Sequence, residues 1–428
     1  MTFFRLAATL ALGAATAMML AAGSPTIRAV ATLHQYDQPV GIIEGEPGVF
    51  YAITSEDVFS VTSKGAITVL ATVPNGTEVM SYVMSGPDNR FYSALGQNGV
   101  AQMFSVTQAE GGKVVYPGQD FAAELSQNLP DGTLLETAGW SGTSYFIKAS
   151  TDGTITSIYQ FPSGDKLLGN ALYGSDGNYY GVACQQTGAG YMFRITPAGS
   201  LTKLYTFPSG AFDGLFTNAI LQGNDGSFYG TTPTGGPQHA GTIYKITPSG
   251  QYTLLYAFAS TNNGGPISLI EASDGDLYGA TLGTVGAGNS QLFRLTKSGG
   301  DPQLFPLSDA YCYCGLVQGS DGNIYGTAVA GGTTGQGLVF VMNAGLPKPQ
   351  PWAQQFGPQS GAPGARVRIW GQNLLSASVE FNGVPATAVS NSGSNYVWAT
   401  APAGATSGPI TVTTPGGANT TQASFTVQ

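Results

Sequence analysis

Apolar and polar residues alternate with a period of two through most of this chain, and the alternating runs are short. Between residues 218 and 258 four of them follow one another: NAILQG, SFYGTT, TIYKITP and YTLLYAF. A period of two sends successive side chains to opposite faces of an extended strand, and the aromatic and β-branched filling of these runs has the same preference. Asp225-Gly226 separates the first two runs and Ser249-Gly250 the last two. Asp-Gly is a strong hairpin signal, because both residues tolerate the positive φ that a tight turn demands. The longer joint, PTGGPQHAG at 233–241, is made of small residues. Gly or Pro interrupts every window long enough for a helix, so the expected chain is all-β and built of four-stranded antiparallel units.

The unit repeats. Asp176, Asp225, Asp274 and Asp321 stand 49, 49 and 47 residues apart, in SDGNYYGVA, NDGSFYGTT, SDGDLYGAT and SDGNIYGTA. Weaker copies precede them: PDGTLLETA from Pro130, PDNRFYSAL from Pro87 and EPGVFYAIT from Glu46. Seven units with a period of roughly 40–50 residues call for a propeller or a solenoid. The chain ends decide between the two. The last unit closes on GLVFVMNAG (337–345) with no fourth strand after it, while AVATLHQYD (29–37) precedes the first unit and resembles the strand that is missing. A leading strand that completes the final unit would close a ring and remove its sheet edges. The expectation is therefore a seven-bladed β-propeller over 29–346, closed by an N-terminal strand. Phe228 and Tyr229 should face opposite neighbouring blades, and Gly230 should admit close backbone approach.

After a Pro-rich linker at 347–351, expected to be extended and semi-rigid, the repeat stops. Residues 352–428 read as about seven short strands with Gly/Pro turns, the pattern of a β-sandwich.

Composition narrows the function classes. With 62 glycines in 428 residues, 42% hydrophobic and 9% charged residues, the chain is neither disordered nor collagenous. A net charge of −9 argues against nucleic acid as a partner. Residues 1–28 read as a signal peptide and mature tail: Arg5, an apolar run from Leu6 to about Ala22, and small residues at 21–23. The expected localisation is secreted or cell-surface, with the periplasm as an alternative, and no membrane span once the signal is removed. Of the three cysteines, Cys312 and Cys314 sit two apart on an extended segment, a poor geometry for a bridge, so buried thiols are expected.

Chemistry needs unlike groups that converge, and the sequence offers few. His34 lies in the expected closing strand, and His239 in a loop of one unit only. The recurrent turn aspartates contribute one or two carboxylates per turn, short of a calcium loop, and Asp-Gly is explained by the hairpin. No catalytic residue, metal or cofactor is expected. A binding face remains: loops gathered at one end of the ring carry Trp140, Asp213, His239, Asn262, Asn263, Asp309 and Tyr311. Amide, hydroxyl and aromatic groups of this kind suit a neutral glycan or a peptide.

The stretch DGSFYGTT…GTIYKITPSGQYTLLYAF resembles the bacterial GloVer (Gloeobacter/Verrucomicrobia-type) tandem repeat, strongly in units four to seven. Within 352–428, Gln355–Phe356, Pro358, Gly371–Asn373, Phe381–Gly383 and Val412–Pro415 resemble the IPT/TIG domain, an immunoglobulin-like fold. These resemblances imply folds and an exported compartment, not catalytic residues. The functional expectation is an exported, non-enzymatic scaffold or binding protein that contacts an extracellular glycan or a surface protein. The alternative is an extracellular propeller lyase or hydrolase acting on a polysaccharide or a small cyclic substrate.

Overall fold

The computed structural model describes residues 25–428 except 34–38, 98–99, 108, 120, 141–142, 186–189, 208–219, 260–264, 284–288, 308–309, 313–314 and 332–336. Among the described residues all regular structure is β, arranged in nine sheets. Seven follow one another in the repeat region. We number them in chain order: sheet 1 (40–72), sheet 2 (78–119), sheet 3 (121–160), sheet 4 (166–206), sheet 5 (220–257), sheet 6 (266–306) and sheet 7 (316–343). Sheet 5 shows the plan: Ile220–Gln222, Phe228–Thr232, Thr242–Ile246 and Tyr252–Ala257 pair antiparallel in sequence order.

Sheet 7 is completed from the other end of the chain. Strand Thr26–Thr32 pairs antiparallel with Leu338–Asn343, with Ile27 opposite Met342 and Ala31 opposite Val339. The pairing starts at Thr26, earlier than the expected start at 29, and reaches Leu33, whose N–H donates to Gly337.

Each sheet then packs on the next through the aromatic pair of the repeat. Phe228 joins a buried cluster with Tyr180 and Met192 of sheet 4, whereas Tyr229 joins one with Leu277 and Phe293 of sheet 6. Period-two alternation is the cause: adjacent residues of one strand serve opposite interfaces. Equivalent clusters link sheets 1 and 2 around Tyr51, 2 and 3 around Tyr92, 3 and 4 around Phe146, and 6 and 7 around Tyr278. Sheet 7 packs on sheet 1, where Tyr325 stacks on Phe50 with ring centroids 3.9 Å apart. Such pairs add about 0.5–1.5 kcal/mol beyond the area they bury.

Two expectations need correction. Gly230 does not admit backbone: a Cβ there would fall inside the Tyr244 ring of the adjacent strand, and Gly181 and Gly326 make the same room for Phe193 and Phe340. Cys312 is not a free thiol but disulfide-bonded, with its partner outside the described residues; Cys184 is the free cysteine.

Residues 352–428 form the remaining two sheets. Trp352–Gly357, Arg366–Gln372, Tyr396–Thr400 and Ala388–Ser392 make one; Gly417–Val427, Gly408–Thr414 and Ser378–Phe381, with two short strands, make the other. Their shared core contains Val367, Ile369 and Val397 from the first sheet and Phe381, Ile410 and Phe425 from the second.

Candidate functional site

Each repeat sheet has a turn end, carrying the Asp-Gly hairpins, and a loop end, carrying the longer connections. At the turn end the aspartates are consumed by structure. Asp225 Oδ1 accepts from the Ser227 N–H at 3.1 Å, and Oδ2 accepts from the Tyr229 hydroxyl at 2.8 Å and from Lys245 Nζ at 2.8 Å. Burial alone would raise its pKa, but Lys245, Tyr229 and the Ser227 amide together hold it down at about 2. Asp176–Tyr180, Asp274–Tyr278 and Asp321–Tyr325 repeat the bond, and Asp274 adds Arg294 at 3.0 Å. The tyrosine four residues on must point back over the turn for this to happen, which is the orientation that buries its ring between sheets.

A second set of bonds at this end runs from sheet to sheet. In sheets 5, 6 and 7 the residue three before the turn aspartate reaches the amide that precedes the aspartate of the previous sheet. Gln222 Oε1 accepts from Ser175 N–H at 2.8 Å, Glu271 Oε2 from Asn224 N–H at 2.9 Å, and Gln318 Oε1 from Ser273 N–H at 2.9 Å. Glu44 of sheet 1 makes the same bond to Ser320 N–H of sheet 7 at 2.6 Å. Its other oxygen accepts from Gly48 N–H at 2.7 Å and Ser320 Oγ at 2.8 Å. Glu271 is charge-balanced by Lys297. Glu44 is 4% exposed, and burial pushes its pKa above the ordinary glutamate value against the pull of those three donors, with Asp321 adding to the rise.

The C-terminal sandwich sits on this turn end. Arg368 Nη2 donates to Pro130 O at 2.5 Å, Tyr396 Oη to Leu129 O at 2.7 Å and Gln355 Nε2 to Tyr173 Oη at 3.3 Å. Trp370 meets the Tyr173 ring edge-on at 5.8 Å, and Arg368 lies over Trp398. The linker is tied down as well: Pro347 O accepts from Ser273 Oγ at 2.5 Å. A crevice of about 40 Å³ lies between Glu44, Gln318 and Ser320 on one side and Asn373, Ser394 and Thr414 on the other. That is room for a few waters, not for a sugar ring.

At the loop end the candidate face is described only in part. Asp213, Asn262, Asn263 and Asp309 lie outside the described residues, as does His34. Trp140 ends the second strand of sheet 3, its backbone opposite Phe121 and Thr143. His239 is exposed in the turn at 236–239 with φ at 53°, and its N–H donates to Gly236. Tyr311 is partly buried and bridges Ala330 through its backbone.

A feature that the sequence reading missed lies at this end of sheet 4. Tyr191 Oη donates to Asp165 Oδ2 at 2.6 Å, both residues buried, with Lys203 Nζ 3.8 Å above the Tyr191 ring. Burial first, then Asp165, pushes the Tyr191 hydroxyl up, so it is held as a neutral donor. Cys184 nearby is raised by burial and by Asp165. Asp165 belongs to no repeated motif, so only the fold reveals this pair. Among the described residues no group of three or more His, Cys, Asp or Glu is placed to hold a metal ion, and no helix is long and apolar enough to cross a membrane.

Residues 131–340, a little under half of the chain, match the family model described as the Gloeobacter/Verrucomicrobia repeat. No curated protein matches the chain. Among solved structures it is similar to a streptogramin B lyase, with TM-score 0.58, 20% identity, and 74% of this chain and 97% of that one covered. The virginiamycin B lyase of Staphylococcus aureus gives TM-score 0.57, 18% identity, and 75% and 99% coverage. A chain of the mitotic checkpoint complex gives TM-score 0.51, 15% identity, and 80% and 98% coverage. At these identities the likeness is one of fold, and the fold is of the propeller type.

Proposed function

We propose that the seven sheets are the blades of one closed propeller, that residues 352–428 are an IPT/TIG module with an immunoglobulin-like fold, and that the protein is exported and binds without catalysis. Its ligand is an extracellular glycan or a surface protein, held at the loop end by Trp140, His239, Tyr311 and the neighbouring loops that carry Asp213, Asn262, Asn263 and Asp309. One observation carries the reading: the repeat spends its recurrent acidic groups on its own framework, each turn carboxylate being occupied by a tyrosine and a backbone amide. What varies from unit to unit in the sequence is the longer connections, which carry small polar and aromatic residues. Screening the purified protein on glycan and cell-wall arrays tests this. Binding that is lost in Trp140→Ala or Tyr311→Ala, with the melting temperature retained, is expected. An array with no hit sinks the binding reading.

The second reading is a lyase, favoured by the buried Asp165–Tyr191 pair at the loop end and by the fold shared with the two lyases. The Staphylococcus aureus lyase is catalytically inactive when a single histidine is replaced by alanine. Here the described histidine, His239, sits exposed in a turn, whereas the acid–hydroxyl pair is buried. Incubation with quinupristin, followed by mass spectrometry, separates the readings. Cleavage of quinupristin that is abolished in Tyr191→Phe would replace the binding role with catalysis.

A further inference from the structure

The turn end of the ring is already occupied, and the occupant is this chain's own C-terminal sandwich. Its bonds land on sheet 3 at Leu129 and Pro130, on sheet 4 at Tyr173, and on sheet 2, where Trp398 Nε1 donates to Pro87 O at 3.4 Å. On the other side it forms the crevice with Glu44 of sheet 1 and Ser320 of sheet 7. In a ring of seven blades, sheets 7, 1, 2, 3 and 4 span more than half the circle. A rigid body bonded to three of these sheets and facing the other two across a water-sized crevice lies over the axis. The interface is also desolvated at its centre: Leu129 is 1% exposed, Tyr396 is fully buried, and the Leu129 carbonyl has the Tyr396 hydroxyl as its partner. Arg368 fits over Gly132, where a side chain would displace its guanidinium. An Arg–aromatic stack that also donates to a carbonyl is the kind of anchor that dominates an interface.

We infer that the C-terminal sandwich is a fixed cap on the turn-side mouth of the ring, so that a ligand reaching the axis enters from the loop end alone. The inference rests on the closed-ring reading above and adds to it which mouth is open. The linker at 345–351 is then a strap, since Pro347 O also accepts from Gln318 Nε2 at 3.2 Å.

Hydrogen exchange on the full chain, with no ligand, tests the cap separately from binding. Gly132 N–H donates to Leu129 O and Gly226 N–H donates to Gly223 O, both at 2.9 Å in equivalent turns, but only the first lies under the module. Exchange at Gly132 is expected to be at least tenfold slower than at Gly226. In an Arg368→Ala/Trp398→Ala variant the Gly132 rate should rise toward that of Gly226, which stays unchanged, and proteolysis at 345–351 should accelerate. Tyr396→Phe, which removes one hydroxyl and no ring, should move the same amides in the same direction if the double variant does not fold. Equal rates at the two turns in the unmodified protein would overturn the cap, as would a released sandwich that leaves Gly132 unaffected. Because no ligand is present, a failed array leaves this result intact, and the reverse also holds.

Discussion

Replacing Asp225 by asparagine keeps the size of the turn side chain and removes its charge. The Ser227 amide can still donate to Oδ1, but the Lys245 ion pair at 2.8 Å is lost and the Tyr229 hydroxyl faces an amide instead of a carboxylate. The magnitude follows from the titration. An unfolded aspartate titrates near 3.9, and Asp225 in the fold at about 2. At about 1.4 kcal/mol per unit the difference is worth at most ~2.6 kcal/mol. The Asp225 side chain is 34% exposed, so solvent screening reduces this to roughly 1–1.5 kcal/mol. The sign is fixed, because the folded pKa lies below the unfolded one. The contribution is complete above the unfolded pKa, about halved at pH 3, and gone below the folded pKa. Urea midpoints of wild type and Asp225→Asn should therefore differ most at pH 7 and about half as much at pH 3, and the gap should shrink in high salt. An equal gap at both pH values would refute the carboxylate account. So would a calcium-induced rise in midpoint that the substitution abolishes, because Asp225 would then be a metal ligand.

Gly230→Ala should cost roughly 1–3 kcal/mol by forcing the Tyr244 ring aside, read as a lower melting temperature with unchanged strand content by circular dichroism. Glu44→Ala strips the Ser320 and Gly48 amides of their acceptor and should cost roughly 2–3 kcal/mol. Since burial holds the Glu44 pKa above its unfolded value, the carboxyl stabilises most at acid pH and less as pH rises through the folded pKa; the penalty should be larger at pH 4 than at pH 8. A chain beginning at residue 33 lacks the outer strand of sheet 7 and should aggregate through the bared edge 338–343, whereas one beginning at residue 25 should remain monodisperse in light scattering.

Short-range features of the repeat were legible in the sequence because they are local. Asp-Gly marked the hairpins, and the Phe-Tyr step told which side chains face which neighbour, since strand periodicity needs no knowledge of the rest of the chain. Gly230 was misread because its partner, Tyr244, lies across the third strand, and that register is fixed only once the 233–241 loop is closed. The sheet-to-sheet bonds of Gln222, Glu271 and Gln318 carried a signal, a Glu or Gln three positions before three of the four aspartates. Its meaning needed the angle between adjacent sheets, which no single repeat encodes. The docked sandwich left a fainter trace: Arg366 and Arg368 share one strand face in a module otherwise poor in charge, and Arg368 bonds across to the ring while Arg366 stacks on Trp398.

The junction of sheets 7 and 1 differs in kind from the other six. Every other neighbour pair is consecutive in the chain. Sheets 7 and 1 come from opposite ends of the repeat region, and the leading strand Thr26–Thr32, which precedes sheet 1 in the chain, is held in sheet 7 by pairing alone. Closure there must be supplied by contacts, and the contacts are correspondingly dense: the strand pairing, the Tyr325–Phe50 stack, and Glu44 with three donors where Gln222 and Gln318 each accept one inter-sheet amide. A charged acceptor bonds more strongly than a neutral amide. Glu44, a buried carboxyl beside Asp321, is costly in isolation, and the Ser320 and Gly48 donors offset that cost at the seam.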